Sequence, residues 1–202
     1  MSRRRPVVIK VGGSLLDWPA LTTMLDQYLR TRRAERLVIV IGGGPVTDVV
    51  RKLDLTHTLG QERSHALALR SLDLTAHLLA AIVPALVVAD RIESLETVWA
   101  ESRVPILAPR IFLDEVDARS ADPIPHTWEA TSDSIAARVA DSLDSPELVL
   151  VKSAPLPHGV DRQGAAQFGL VDPLFPRSAR RLVRVTYLNL RDSPPIPIPL
   201  PP

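Results

Sequence analysis

Short runs of β-branched and aliphatic residues alternate along this chain with longer segments whose apolar positions recur at helical spacing. The apolar runs predict six strands, at Val7–Val11, Leu37–Ile41, Ala85–Ala89, Ile106–Ala108, Leu148–Val151 and Leu182–Leu188. Strands that alternate with helices are typical of α/β proteins with parallel sheets. We therefore expect an α/β fold, a three-layer α/β/α sandwich with a mainly parallel central sheet.

The longer segments predict helices at Pro19–Arg33, Pro45–Leu53, Ser64–Ala81 and Ser132–Leu143. Pro19 is expected at the first helical position, where its missing N–H costs nothing. Thr131 or Ser132 is expected to cap the last of these helices. The third helix is predicted from apolar residues at roughly helical spacing, namely Leu67, Leu74, Leu78 and Ala81.

Composition narrows the class of protein. The chain has 202 residues and a net charge of +1, so no global field attracts nucleic acid or an anionic membrane. It has no cysteine, which excludes disulfides, thiolate catalysis and cysteine-bound zinc. The basic start leads directly into a short strand, unlike a signal peptide. The longest apolar stretch, residues 78–89, contains Pro84 and is too short to span a bilayer, so a cytoplasmic protein is expected.

The first predicted strand carries a lysine near its end, Lys10, and then breaks at Gly12-Gly13-Ser14. Burying an unpaired ammonium is expensive, so this lysine indicates a site that holds an anion. Backbone N–H groups in glycine loops bind phosphate oxygens well. The second strand also ends in glycines, at 42–44, and we expect an anionic ligand between the two loops.

Two further features carry suitable chemistry. Residues 131–134 read Thr-Ser-Asp-Ser at a predicted helix start, and Lys152 follows the strand Leu148–Val151. Phosphoryl transfer needs mainly positioning and positive charge around the moving phosphate. Lysines at two strand ends, with Asp133 to orient one of them, would meet this need. Neither glycine loop forms a Walker A or a Gly-x-Gly-x-x-Gly motif.

The motifs Lys-x-Gly-Gly-Ser at 10–14, Gly-Gly-Gly at 42–44 and Thr-Ser-Asp-Ser-Ile-Ala-Ala at 131–137 together resemble the amino acid kinase family. The resemblance follows the family's order over residues 6–190. Within the family, residues 64–73, 128–133 and 171–173 most resemble the small kinases of methanofuran-type one-carbon cofactor biosynthesis. Those enzymes convert an aminomethylfuran-methyl phosphate into the diphosphate. Uridylate kinase is the alternative enzyme.

The resemblance implies ATP and Mg²⁺ as cofactors and a role for each matching residue. Lys10 would stabilise the transferring phosphoryl group, while Asp133 would orient Lys10 and help to organise magnesium. ATP would contact Gly12, Gly13, Ser14, Lys152 and Gly159. The acceptor would contact Gly43, Gly44, Trp128 and Thr131. ATP is expected at the strand ends of the second half of the sheet, and the acceptor at those of the first half.

The resemblance also implies one kinase-like domain over residues 1–190, with an acceptor half at about 1–125 and a nucleotide half at about 126–190. The segment 152–160 departs from the family's usual Thr-Asp-Val-Asp-Gly-Val, and the usual glycine-rich C-terminal segment is missing. These departures motivate an alternative of another class, a nucleotide- or metabolite-binding regulatory protein without catalysis. The proline-rich tail, residues 191–202, is expected to be extended, as a packing strap or a docking peptide.

Several other residues have less specific interpretations. His65 and His77 lie in one predicted helix but lack the spacing of paired metal ligands, so packed or interface histidines are expected. Asp172 is a possible substrate contact. The arginines of residues 177–184 are expected on a solvated surface. The apolar surface of the helix at 64–81 predicts a homo-oligomer, a dimer or larger.

Overall fold

Seven strands form one sheet in the computed structural model, which describes residues 5–202. The basic residues 1–4, part of the start where we expect no signal peptide, lie outside the described residues. The strands are β1 (Val7–Val11), β2 (Leu37–Ile41), β3 (Leu86–Ala89), β4 (Val104–Leu107), β5 (Leu148–Lys152), β6 (Val185–Asn189) and β7 (Ile198–Pro199). Their order in the sheet is β3-β4-β2-β1-β5-β6-β7, and all pairs are parallel except β6 with β7.

Helices connect the strands. They are α1 (Leu21–Thr31), α2 (Gly44–His57), α3 (Gln61–Ile82), α4 (Leu95–Ala100), α5 (Pro109–Glu115), α6 (Ser132–Ser142), α7 (Arg162–Gln167) and α8 (Phe175–Ser178). The four longest of them, α1, α2, α3 and α6, were predicted from the sequence. The other four have only one or two turns, which is too short for apolar periodicity to reveal.

The two faces of the sheet bury separate hydrophobic cores. Because side chains alternate along a strand, Val7, Ile9 and Val11 of β1 pack with α1 on one face, while Val8 packs with α6 on the other. All of these strand residues are buried, as expected of a parallel sheet covered on both sides. The expected three-layer α/β/α sandwich with a mainly parallel sheet is therefore confirmed.

Several predicted boundaries were wrong: helix α3 begins at Gln61 and not at Ser64, and strand β4 begins at Val104 and not at Ile106. Two other elements begin later than predicted because tight turns precede them. Helix α1 begins at Leu21 and not at Pro19, since residues 18–21 form a turn in which the Leu21 N–H donates to the Trp18 carbonyl at 3.0 Å. Strand β6 begins at Val185, since Leu182 still belongs to the turn after α8 and donates to Ala179 at 2.9 Å. The pattern of apolar residues predicted neither of these two turns.

Helix α3 is present, but its apolar residues do not all lie in the core. Leu67, Leu74 and Leu78, on which its prediction partly depended, are exposed. The buried face is formed instead by Leu69, Leu72, Ala76 and Leu79. Because α3 is apolar on two faces, its periodicity predicts a helix without deciding which face packs inward.

The proline-rich tail packs against the sheet. Ile198 and Pro199 pair with β6, and the Leu200 N–H donates to Val185 at 2.8 Å. Leu200 is buried. Proline is tolerated here because an edge strand needs few N–H donors. The tail is thus extended, as predicted, and acts as a strap. Among the described residues, no helix is long and apolar enough to cross a membrane.

Candidate active site

The site lies where the strand order reverses. Strand β1 has β2 on one side and β5 on the other, and the carboxyl ends of all three meet at one edge. In open parallel sheets, ligands bind in the crevice at such a reversal. In the register of the sheet Lys10 lies opposite Leu150, so Lys152 is two residues further along the neighbouring strand. Strand alternation therefore sends Lys10 and Lys152 to the same face, that of α6.

Asp133 joins these two lysines. It is the second residue of α6, and its Oδ1 lies 2.7 Å from Nζ of Lys10 and 2.7 Å from Nζ of Lys152. Its Oδ2 accepts a second hydrogen bond from Lys152 at 2.8 Å. All three side chains are nearly inaccessible to solvent. The sequence predicted that Asp133 orients Lys10, but it did not predict the contact between Asp133 and Lys152.

Two ammonium groups share one carboxylate, so the buried triad of Lys10, Asp133 and Lys152 carries a net positive charge. Burial opposes ionisation of Asp133, but the two lysines outweigh it and lower its pKa to about 2. Burial lowers the pKa of Lys152 to about 8, and Lys10 adds to this effect while Asp133 opposes it. The triad is therefore a site that an anion would stabilise.

The two glycine loops interlock beside this triad. The Gly42 N–H donates to Val11 at 2.9 Å and the Gly12 N–H donates to Val151 at 2.8 Å, so each loop continues the pairing of the strands. A Cβ on Gly42 would lie 2.7 Å from the Gly13 nitrogen, and a Cβ on Gly44 would overlap the Gly13 carbonyl. Such close approach of two backbones requires glycine. It holds the N-terminus of α2 at the strand ends.

A cavity of about 180 Å³ opens beside the loops. It is lined by six of the residues that the resemblance implied, Gly13, Ser14, Gly43, Gly44, Trp128 and Thr131. The N-terminus of α2 borders it, where unpaired N–H groups and the helix dipole favour an anion. Sequence reasoning missed Thr47, Arg51, Ser64 and His65, which also line it. Thr47 and Arg51 lie one helical turn apart on α2, and this spacing could have indicated that they share a face of the helix.

Trp128 forms a wall of the cavity and is held from two sides. Its Nε1 donates to Asp54 Oδ2 at 2.9 Å, and the Arg51 guanidinium lies 4.7 Å from its ring centre. Both partners belong to α2, so the helix that begins at the glycine loop also fixes the opposite wall. Trp128 is therefore a cavity residue and not one enclosed in a hydrophobic core.

On the other side of the glycine loop, the end of β5 is more open. The Ser14 and Ser153 hydroxyls are 2.8 Å apart, and Arg191 Nη2 lies 3.5 Å from the Ser14 carbonyl. Gly159, which we expected near the nucleotide, lies in an exposed turn at φ 72° and does not line the cavity. Ser14 thus lies between the cavity, which it lines, and the surface at the end of β5, which Ser153 borders.

Other candidate side chains are engaged in packing. His65 stacks on His126 with ring centres 4.5 Å apart, and burial followed by the nearby His126 lowers the His65 pKa. Asp172 is buried against the start of α6 rather than lining the cavity. Within residues 5–202, no group of three histidine, aspartate or glutamate side chains could hold a metal ion.

Comparison with known proteins agrees with this geometry. The model of the amino acid kinase family matches residues 5–155. A curated relative, (5-(aminomethyl)furan-3-yl)methyl phosphate kinase of Methanocaldococcus jannaschii, is 31% identical over 144 residues. The match includes 71% of this chain and 63% of the relative, so the chain spans less than two thirds of the relative's length.

Solved structures share the fold at lower sequence identity. A uridylate kinase from Archaeoglobus fulgidus is 15% identical with a TM-score of 0.63, over 90% of this chain and 89% of that one. A UMP kinase from Ureaplasma parvum is 14% identical with a TM-score of 0.62, over 94% and 92%. An aspartate kinase from Synechocystis is 16% identical with a TM-score of 0.63, over 97% and 40%. These similarities concern the fold alone.

Proposed function

This chain belongs to the amino acid kinase family, and we propose that it transfers the γ-phosphoryl group of ATP to a small phosphomonoester, forming a diphosphate. The observation that carries the proposal is the net positive charge of the buried triad beside two glycine loops and a cavity. Developing negative charge on a moving phosphoryl group is what such an arrangement would stabilise.

Each triad residue has a distinct role in this mechanism. Lys10 lies at the end of β1, between the glycine loop and Asp133, and would hold the transferring phosphoryl oxygens. Lys152 lies at the end of β5, on the side of Ser153, and would hold phosphate oxygens of ATP. Asp133 remains ionised because its own pKa is about 2, and its carboxylate orients both ammonium groups.

Two side chains that could accept a proton line the cavity, and both have other partners: Asp48 pairs with Arg51 at 2.8 Å, and His65 stacks on His126. A phosphomonoester needs no general base, because its oxygens are already ionised near neutral pH. The N–H groups of Gly43 and Gly44, at the start of α2, would position that phosphate for attack on the γ-phosphorus. The bond to the ADP leaving group then breaks as the new P–O bond forms.

Magnesium fits this site only together with the nucleotide. Proteins usually hold Mg²⁺ in kinases through one or two carboxylates, several waters and the substrate phosphates, not through an all-protein cage. Asp133 is the carboxylate of the triad, but two lysines already occupy its oxygens. A bound Mg²⁺ would neutralise charge on the phosphates, while Lys10 and Lys152 act from the protein side.

For the acceptor, the name of the curated relative supports an aminomethylfuran-methyl phosphate. The cavity supports a small acceptor, since Trp128 closes one wall and Leu69 and Leu72 form an apolar part of the lining. UMP is the second candidate, because UMP kinases share the fold. A non-catalytic regulatory protein would bind ATP without any turnover.

The test is ATP consumption by the purified 202-residue chain with magnesium, against a panel that includes aminomethylfuran-methyl phosphate, UMP and aspartate. We expect turnover on the furan-methyl phosphate and a diphosphate product. Lys10→Met should reduce kcat about a thousandfold, because it removes a charge that acts in the transition state. Lys52→Met, at an exposed lysine of α2, is the matched control and should leave kcat unchanged.

Three results would contradict parts of the proposal. Turnover on UMP alone would overturn the choice of acceptor and favour a uridylate kinase. ATP binding without turnover on any acceptor would favour the regulatory alternative. Full activity in Lys10→Met would overturn the assignment of the site.

We also propose that the chain acts in the cytoplasm as a homo-oligomer. Helices α2 and α3 expose a set of large apolar residues: Val49, Leu53, Leu67, Leu74 and Leu78. Single exposed apolar residues are common, but a stripe on two adjacent helices is typical of an interface. Light scattering after size-exclusion chromatography should give at least twice the 22.1 kDa chain mass, and Leu74→Glu should reduce it to the monomer.

A further inference from the structure

The carboxylate of Asp172 lies next to the triad without belonging to it. Asp172 is in the segment between α7 and α8, and it is buried. Its Oδ2 accepts hydrogen bonds from the Thr131 N–H at 3.1 Å, the Thr131 hydroxyl at 2.9 Å and the Ser134 N–H at 2.9 Å. Its Oδ1 accepts a fourth from the Ser134 hydroxyl.

These four donors belong to the first turn of α6. A helix usually satisfies its first N–H groups with the side chain of its own N-cap residue. In α6 the N-cap residue is Thr131, and its hydroxyl does not perform this role but donates to Asp172. A residue 38 positions away in sequence from Ser134 therefore caps the helix.

The capped turn contains Asp133. Thr131 and Ser134 flank it in sequence, and both are anchored to the same carboxylate. Because the two anchors lie on either side of Asp133, the backbone that carries the triad's carboxylate cannot rotate without breaking several hydrogen bonds. Burial, and then the charge of Asp133, raise the pKa of Asp172, whereas its donors oppose the rise.

We propose that Asp172 is a positioning residue, whose hydrogen bonds to the first turn of α6 hold Asp133 between Lys10 and Lys152. Asp172 does not touch substrate in this assignment, since it does not line the cavity. It acts through Asp133, and its hydrogen-bonding geometry matters more than its charge. This inference rests on the proposed function only in its kinetic test, because that test requires kinase activity.

Two substitutions separate geometry from charge. An asparagine could accept the three bonds of Oδ2 through its carbonyl, while its NH₂ group donates to the Ser134 hydroxyl, which can also accept. Asp172→Asn thus removes the charge and retains the cap. Asp172→Ala removes both. Asp161→Ala is the matched control, because Asp161 caps α7 through a 2.6 Å bond from the Gly164 N–H.

The first readout needs no substrate. The chain has three lysines, Lys10, Lys52 and Lys152, so ¹³Cε-lysine NMR resolves each titration in the intact protein. Asp133 raises the pKa of Lys152, which burial lowers to about 8. If Asp133 moves away, that pKa must fall further. We expect a fall of at least about half a pH unit in Asp172→Ala and a smaller one in Asp172→Asn.

The second readout is kinetic. In Asp172→Ala, kcat should fall about ten- to a hundredfold, as small misplacements of catalytic groups do. Asp172→Asn should retain kcat within about threefold, and Asp161→Ala should lower the melting temperature without changing kcat. KM for the acceptor should rise as well in Asp172→Ala, because Thr131, which lines the cavity, loses its two hydrogen bonds to Asp172.

The outcomes of these measurements separate the positioning role of Asp172 from the proposed kinase activity. An unchanged Lys152 titration in folded Asp172→Ala would overturn the positioning role even if wild-type protein has no kinase activity. Loss of kcat in Asp172→Asn as large as in Asp172→Ala would also overturn it, because charge would then be the decisive property. Absence of turnover in the wild type, with the predicted shift of Lys152, would contradict the proposed function and leave the positioning of Asp133 supported.

Discussion

The strands β1 and β5 each carry one lysine of the triad, but the loops that follow them are built differently. After β1, residues 12–14 lie against the second glycine loop so closely that a Cβ on Gly13 or Gly44 would overlap backbone atoms. After β5, residues 153–160 run over the surface, and a Cβ on Gly159 would meet nothing within 4 Å. We call residues 12–14 the locked loop and residues 153–160 the open loop.

This difference indicates where the chain can vary. The locked loop must approach both the triad and the cavity, so at Gly13 its backbone can hold only glycine. The open loop meets one surface only and can accept prolines such as Pro155 and Pro157 without a clash. We infer that the departure from the family's usual pattern at 152–160 affects nucleotide contacts more than the chemistry of the triad.

The largest expected difference between the two loop regions is in the effect of a glycine substitution on stability. Gly44 and Gly159 both have positive φ, 49° and 72°. In Gly159→Ala the strain of the left-handed conformation should cost about 1–2 kcal/mol. Gly44→Ala adds the overlap with the Gly13 carbonyl, so the free energy of unfolding should fall by more than about 3 kcal/mol and activity should be lost. Equal effects in urea unfolding would mean that the loops do not differ.

A second test compares the two lysines. Lys10→Met should lower kcat about a thousandfold, since Lys10 lies beside the locked loop. Lys152→Met should lower kcat about tenfold to a hundredfold and raise KM for ATP, because it lies at the open loop. Steady-state kinetics at saturating acceptor separate these effects. If Lys152→Met changes KM for the acceptor but not for ATP, the assignment of the two sides is reversed.

The pH dependence gives a third test. The Lys152 pKa is about 8, so its ammonium is present below that pH and lost above it. We therefore expect kcat/KM for ATP, which reports the free enzyme, to fall as pH rises through about 8. Bound phosphate favours the charged form, so the fall in kcat should occur at higher pH. Coincident pH limbs for kcat and kcat/KM would contradict contact between Lys152 and ATP.

The smallest expected effect concerns Arg191, which follows β6 at the open side. Its guanidinium lies 5.7 Å from the Trp18 ring centre and 3.5 Å from the Ser14 carbonyl. Such a cation is suited to an ATP phosphate, so Arg191→Ala should raise KM for ATP about fivefold, the effect of one exposed charge-assisted contact. Arg181→Ala, on a surface away from the loops, is the control. A change in acceptor KM instead would contradict this assignment.

Much of the fold was predictable from local sequence. Strands β1 and β2 were predicted with their observed bounds, because each is a mostly apolar run followed directly by glycine, as is typical of a buried parallel strand. Helix α2 begins at the triple glycine as expected. Helix α3 was identified, but its inward face was not, since both faces are apolar and only packing selects one of them.

The residues of the candidate site could be predicted from the sequence better than the contacts between them. Lys10, Asp133 and Lys152 were all identified, each from a strand end or a helix start. The sharing of one carboxylate by two lysines was not, because it depends on β5 being the neighbour of β1. Arg51 and the cavity wall it forms with Trp128 depend likewise on α2 packing beside residues that are distant in sequence.

The sequence by itself determined the strands, the glycine breaks and the residues with phosphate chemistry, because these follow from local apolar runs and from the backbone freedom of glycine. Only the tertiary structure decided that the triad has a net positive charge, that two loops interlock and that Asp172 caps α6. These features join segments far apart in the chain. Local sequence does not encode the distances between such segments, which are set by strand order and packing.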